Sequence, residues 1–193
     1  DGQVFSYRGA SYAIPLLGEH QLHNAATVLE AISVLRKQGW DIDDEAVESG
    51  LYSVAWPARF EVLHTDDPWF VLDGGHNPQC AAALRECLEH YFPDSKRVAL
   101  VGVLKDKDYK SIAAMLAPLF DACVCVTPPS ERALPAEELA ELFKDSCREV
   151  CVAGTVEDGV DLARDIAQEQ DAMVCAFGSL YICGQIRSCF GLR

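Results

Sequence analysis

Apolar residues at Ala25, Val28, Leu29, Ile32 and Leu35 recur at three- and four-residue intervals, which predicts a helix over 24–38 that ends at Gly39. A shorter helix is expected over 43–51. Ahead of both, Asp1 to Gly9 alternates and turns like the remains of a β-hairpin, and with no Met before it the start reads as a cut edge. The stretch Val54-Ala55-Trp56-Pro57-Ala58-Arg59 breaks the periodicity with a proline, which places a domain junction there.

Beyond that junction the pattern repeats as apolar strand, loop and helix. Strands are expected over 69–72, 97–103, 122–126, 149–152 and 172–177, and helices over 78–91, 109–120, 136–146, 156–169 and 180–188. Runs such as Val98-Ala99-Leu100-Val101-Gly102-Val103 suit strands covered on both faces, so the expected fold is α/β, a three-layer, mostly parallel sheet. In such a sheet ligands bind where strands hand over to loops at their carboxyl ends.

Composition narrows the function classes. A length of 193 residues allows one domain plus part of another. With 30 acidic against 16 basic residues and a net charge of −14, the chain lacks the basic stripe that holds a polyanion, which argues against a nucleic-acid partner. The nine cysteines sit mostly in apolar runs, as at Cys123, Cys125, Cys151 and Cys175, and no signal-peptide pattern accompanies them. Reduced thiols in a cytoplasmic protein are expected, without disulfides. A metal site is not expected either, because Cys123 and Cys125 share a strand face without a second ligand pair. No apolar run approaches the roughly 20 residues that span a bilayer, so no membrane is expected as a partner.

Three expected strand ends carry chemistry. Asp73-Gly74-Gly75-His76-Asn77-Pro78 joins a strand to a helix. It reads equally as a capped turn, with Asn77 as the cap, or as a site in which Asp73 accepts from ribose hydroxyls and His76 binds a carboxylate. Gly102-Val103-Leu104-Lys105-Asp106-Lys107-Asp108 places two cations and two carboxylates in one loop, either solvated or with Lys105 or Lys107 meeting an anionic substrate. Phe177-Gly178-Ser179-Leu180-Tyr181 offers a hydroxyl at a helix start, which a plain Ser cap would also explain. Nearer the start, Gly18-Glu19-His20-Gln21-Leu22-His23-Asn24 groups polar side chains able to read a purine edge, or is a helix cap with solvated residues, and Arg59 could reach a phosphate bidentately or merely pair with a carboxylate. No Gly-x-x-x-x-Gly-Lys-Ser/Thr loop is present, so the chain has no evident phosphate cradle of its own.

In order, these segments resemble the Mur ligase superfamily, and within it the dihydrofolate synthase / folylpolyglutamate synthase branch. The series is Leu17-Gly18-Glu19-His20-Gln21 with Asn24-Ala25, then Trp56-Pro57-Ala58-Arg59-Phe60-Glu61, Leu72-Asp73-Gly74-Gly75-His76-Asn77-Pro78, Lys105-Asp106-Lys107-Asp108 and Phe177-Gly178-Ser179-Leu180-Tyr181. Ala58 and Gly75 depart from the family's usual Gly and Ala, small residue for small residue.

The resemblance implies a Rossmann-like, glutamate-binding C-terminal domain over 58–193, preceded over 1–57 by the helical end of a central ATP-binding domain. It implies ATP and Mg2+ as cofactors, the metal ligands lying in a missing N-terminal part of the same chain. Folate or dihydropteroate and L-glutamate would be the substrates, joined through an acyl phosphate. Carried over residue by residue, Asn24 would face adenine, Arg59 the phosphates and Asp73 the ribose, while His76, Ser179, Lys105 and Lys107 would hold glutamate. No catalytic residue is assigned within this stretch, and the stretch alone is expected to be inactive. The competing readings are another Mur-type amide ligase, such as one acting on peptidoglycan precursors, a free-standing nucleotide-binding module, and a non-enzymatic interaction domain. Gly74-Gly75 does not supply the Gly-x-Gly-x-x-Gly turn that the nucleotide-binding module needs.

Overall fold

In the computed structural model, which describes residues 2–64, 66 and 68–192, two short strands open the chain, β1 (Gln3–Tyr7) and β2 (Ala10–Ile14). They pair antiparallel across Arg8-Gly9, both with positive φ (49° and 86°), the geometry that matches a two-residue turn to the twist of its strands. Asp1, where the expected hairpin opens, lies outside the described residues. Two helices follow, α1 (Glu19–Lys37) and α2 (Asp44–Tyr52).

Helix α1 starts five residues earlier than the apolar pattern indicated, because its first turn is polar and carries no periodic signal. Its entry is fixed instead by Gly18 at φ 99° and by the Gln3 amide, which donates to the carbonyls of Leu16 (2.7 Å) and Gly18 (3.0 Å). Asp43 caps α2 by accepting from the Ala46 N–H at 2.6 Å. Ala25 and Leu29 of α1 pack with Ile14, Val47 and Leu51, while Val28, expected on the same face, is exposed.

The chain divides into two compact units, Asp1–Pro57 and Ala58–Arg193. In the second, the strands are β3 (Glu61–His64), β4 (Phe70–Asp73), β5 (Lys96–Val101), β6 (Ala122–Cys125), β7 (Glu149–Val152) and β8 (Ala172–Phe177). They form one sheet in the order β3-β4-β8-β5-β6-β7, parallel except for β3 at one edge. Strand β3 had no counterpart in the sequence reading: four residues with a register shift between Val62 and His64 are too short and irregular to show a period.

Helices α3 (Pro78–Tyr91), α4 (Tyr109–Leu116), α5 (Ala136–Ala140), α6 (Val156–Gln170) and α7 (Leu180–Cys189) connect and cover the sheet. Val98, Leu100, Val124 and Val174 face α6 and α7, packing on Val160, Ala163, Ile182 and Ile186. The alternate residues face the other way. There the buried Arg97 donates to the carbonyls of Leu88 (3.3 Å) and Phe92 (2.5 Å) at the end of α3, and to Leu119 (3.4 Å). The result is helix, sheet and helix in three layers.

Two helices are shorter than expected. Pro118 has no N–H to continue α4, which ends in a 3-10 turn over Ala117–Leu119, and after Ala140 the hydrogen bonds of α5 tighten to i→i−3. All nine cysteines are free, with the Cys123 and Cys125 sulfurs 3.6 Å apart on one strand face. Among the described residues, no helix is long and apolar enough to cross a membrane.

Candidate functional site

The sheet register brings the singled-out segments of the second unit to one edge. Asp73 of β4 pairs with Phe177 of β8, Phe177 with Val101 of β5, and Val101 with Cys125 of β6, so these strands end in a single row. The loops that leave the row touch one another. Gly178 (φ 111°) packs so closely on Gly102 that a Cβ there would lie 2.7 Å from the Gly102 carbonyl oxygen, and Leu180 fills the space a Cβ on Gly74 would need. Glycine is required at 178 for both reasons, its φ and the close approach of backbone.

Asp73 is 8% exposed and already engaged: Oδ1 accepts from the Gly75 N–H at 2.7 Å and Oδ2 from the Phe60 N–H at 2.9 Å. Through these two bonds the carboxylate ties the end of β4 to the backbone on either side of it. Asn77 is the cap of α3, its Oδ1 accepting from the Cys80 N–H at 2.8 Å, with Pro78 in the first turn. The His76 Nδ1 lies 3.1 Å from the Gly74 carbonyl oxygen, which leaves Nε2 without a partner among the described residues. The capped turn and the ligand site are thus compatible in one segment.

The charged loop sorts itself. Asp106 pairs with Arg132 at 2.8 Å, and Asp108 caps α4 by accepting from the Ser111 N–H at 3.2 Å. With both carboxylates engaged, the ammonium groups of Lys105 and Lys107 have no partner among the described residues. Arg132 also donates to the Tyr181 hydroxyl at 3.3 Å, and the backbone bonds Lys105 N–H to Arg132 O (2.9 Å) and Leu134 N–H to Val103 O (3.0 Å) zip the two loops together. Sequence reasoning missed Arg132, although it sits in the loop after β6 and the rule that pointed to the other strand ends also pointed there. Ser179, 2% exposed, caps α7 by accepting from the Tyr181 N–H at 3.2 Å.

Arg59 sits between two residues in the left-handed region, Ala58 (φ 56°) and Phe60 (φ 44°). Each costs about 1–3 kcal/mol and must be held by its surroundings. Phe60 is held by its ring, which packs on Tyr91 and Phe92 at 5.6 and 6.4 Å, and by Asp73. Ala58 is held at both backbone groups, its N–H donating to Glu61 Oε2 (2.8 Å) and its carbonyl accepting from the Gly74 N–H (2.8 Å). Glu61 in turn forms an ion pair with Arg187 of α7. Among the described residues, no carboxylate pairs with Arg59, whose guanidinium makes only a long contact to the Ala58 carbonyl oxygen (3.5 Å). The nearby Cys183 thiol is pushed up to about 12, first by burial and then by Asp73, with Arg59 and Arg187 pulling the other way.

Asn24 belongs to the first unit, exposed on α1 one turn after His20, its Nδ2 donating to Gln21 Oε1 at 3.0 Å. Among the described residues no three His, Cys, Asp or Glu side chains are grouped to hold a metal ion.

Residues 58–180 match the model of the Mur ligase, glutamate ligase domain, family. The dihydrofolate synthase/folylpolyglutamate synthase of Mycobacterium tuberculosis is 34% identical, the match covering 98% of this chain and 43% of that protein. Among solved structures, a Mycobacterium tuberculosis folylpolyglutamate synthase complexed with ADP and AMPPCP superposes with a TM-score of 0.89 at 32% identity, over 100% of this chain and 46% of that one. A bifunctional folylpolyglutamate synthase/dihydrofolate synthase from Yersinia pestis, complexed with AMPPNP and a manganese ion, gives 0.77 at 26% identity, over 98% and 44%. The chain spans less than half the length of the curated relatives it matches.

Proposed function

The chain belongs to the Mur ligase family through its glutamate ligase domain, and on that premise we propose that it is the C-terminal portion of an ATP-dependent ligase that joins L-glutamate to dihydropteroate or folate. In this reading 58–193 is the glutamate-binding domain and 1–57 the end of the ATP-binding domain. The observation that carries it is the single row formed by Asp73, Phe177 and Val101, which gathers an acceptor, two lysines, an imidazole and a helix-capping hydroxyl at one sheet edge.

The chemistry assigns each group a task. ATP activates a folate carboxylate as an acyl phosphate, and the glutamate amine attacks the carbonyl carbon and expels phosphate. Arg59, unpaired with any carboxylate among the described residues, offers its planar fork of donors to the ATP phosphates. Asp73 accepts from the ribose, and Asn24 keeps an amide N–H and oxygen for the adenine edge. His76 Nε2, Lys105 and Lys107 take the glutamate carboxylates, joined by the Ser179 hydroxyl proton. Mg2+ or a like ion supplies charge neutralisation on the phosphates when bound, and its ligands belong to the remaining portion of the ligase. Water must be excluded while the acyl phosphate lives, which closure of this domain over the nucleotide provides.

The test is glutamate-dependent ADP release with dihydropteroate or folate. The complete ligase is expected to show it, and the isolated 193 residues are expected to show none. Ligation by the isolated residues, or indifference of the complete enzyme to glutamate, overturns the proposal.

A further inference from the structure

Two charged residues beside Arg59 have no task in the reaction as proposed. Glu61 is half-buried at the start of β3 and spends both carboxylate oxygens locally, one on the Ala58 N–H at 2.8 Å and the other on Arg187. Arg187 reaches it from the last turn of α7, 126 residues further along the chain, and its side chain is only 14% exposed. A surface ion pair contributes little and is screened by salt, whereas a largely enclosed pair fixes the position of whatever it is bonded to. Here that is the backbone of Ala58.

Left-handed backbone at a non-glycine residue persists only where the surroundings over-determine it, and such residues collect where a side chain must be aimed. Ala58 and Phe60 place one such residue on each side of Arg59. Asp73 secures the Phe60 side, and the Gly74 N–H secures the Ala58 carbonyl. Only Glu61 secures the Ala58 N–H, and only Arg187 orients Glu61 among the described residues. We infer that Glu61 and Arg187 are positioning residues for Arg59: through the Ala58 backbone they hold its guanidinium in the pose that receives an ATP phosphate. This rests on the proposed phosphate role of Arg59. It also makes α7 a support for nucleotide binding from its far end, while its first turn carries Ser179.

The experiment measures separate KM values for ATP and glutamate in the complete ligase, with Arg59→Ala as the reference. Arg187→Met keeps much of the side chain's bulk and removes its charge. It is expected to raise the ATP KM roughly tenfold, since a misplacement of about an ångström has effects of this size or larger. The glutamate KM should stay within about twofold, because uniform loss of one ligand's binding appears in that ligand's KM alone. Arg187→Lys should recover most of the loss. Glu61→Gln keeps an acceptor for the Ala58 N–H and loses the ion pair, so it should match Arg187→Met, and it serves if the methionine variant does not fold.

The deciding variant is Arg59→Ala/Arg187→Met, expected to be no worse for ATP than Arg59→Ala alone, because a residue acting through Arg59 has nothing left to position. Additive losses, or equal rises in both KM values, overturn the inference and leave the pair a structural one. If Arg59→Ala raises the ATP KM while Arg187→Met and Glu61→Gln do not, positioning alone fails. If Arg59→Ala itself leaves the ATP KM unchanged, the phosphate reading of Arg59 fails and the inference falls with it.

Discussion

At position 58 the chain carries alanine in a left-handed conformation at φ 56°. A β-carbon there is opposed by roughly 1–2 kcal/mol, of which glycine's greater freedom in the unfolded chain takes back about half to one. Ala58 is also buried in the core, where loss of its methyl costs about 0.8 kcal/mol, so in Ala58→Gly the opposing effects nearly cancel and stability is expected to stay within about 1 kcal/mol by denaturant unfolding. A loss above about 2 kcal/mol, as a buried methyl removed without any relief of strain would approach, would contradict the strain at this residue. The buried thiols give a second residue-scale expectation. Burial pushes Cys87 and Cys183 up to about 12 and Cys147 up to about 11, against 9.0 for an exposed thiol. Below pH 9 these thiols are protonated in both states and stability does not depend on them. From pH 9 towards 12 the unfolded chain releases protons that the folded chain keeps, so stability falls as pH rises through that window. Melting curves across that range should show the decline, and Cys87→Ala should flatten it; an unchanged slope in that variant would show that Cys87 is not a contributor.

At the scale of elements, helix ends and strand ends do most of the work. Asn77, Asp108, Thr155 and Ser179 cap α3, α4, α6 and α7, and three of these caps, Asn77, Asp108 and Ser179, belong to the loops of the candidate site. At the opposite end of α3 the enclosed Arg97 holds the Leu88 and Phe92 carbonyls. Arg97→Met leaves those acceptors buried without a charged donor, and should destabilise the protein by about 3 kcal/mol in denaturant unfolding. Faster amide exchange is expected at the end of α3 first. A change below about 0.5 kcal/mol would mean that the Arg97 hydrogen bonds do no more than replace those to water.

For the whole molecule, the two units differ in how much they bury. The second closes a continuous core from Phe70 to Ile186 around a sheet covered on both faces, whereas the first has Ile14, Ala25, Leu29, Val47 and Leu51 as its fully buried apolar residues. A segment of that size is marginal by itself, since small domains bury too little surface to offset chain entropy. Residues 58–193 expressed alone are expected to unfold cooperatively, and residues 1–57 alone to show no cooperative transition in circular dichroism. A sharp transition in the shorter piece would overturn that expectation.

The periodic apolar runs were enough to read the alternation of strands and helices beyond residue 58, because strands buried on both faces and amphipathic helices write their environment directly into composition. Helix α3 and strands β7 and β8 were read to their terminal residues. Strand β3 and the first turn of α1 were not, since a four-residue edge strand and a polar turn carry no period. The residue types at strand ends were legible in the same way: Asp73, His76, Lys105, Lys107 and Ser179 follow strands in order along the chain. Only the tertiary structure decided the strand order that sets β8 between β4 and β5, and with it the row that joins their loops. It also decided which charges are engaged. That Arg132 takes Asp106, that Glu61 takes Arg187, and that Arg59 is left between two strained neighbours depends on contacts across as many as 126 residues. Local sequence carries no record of such pairs, because each forms only when the sheet brings distant loops to the same edge.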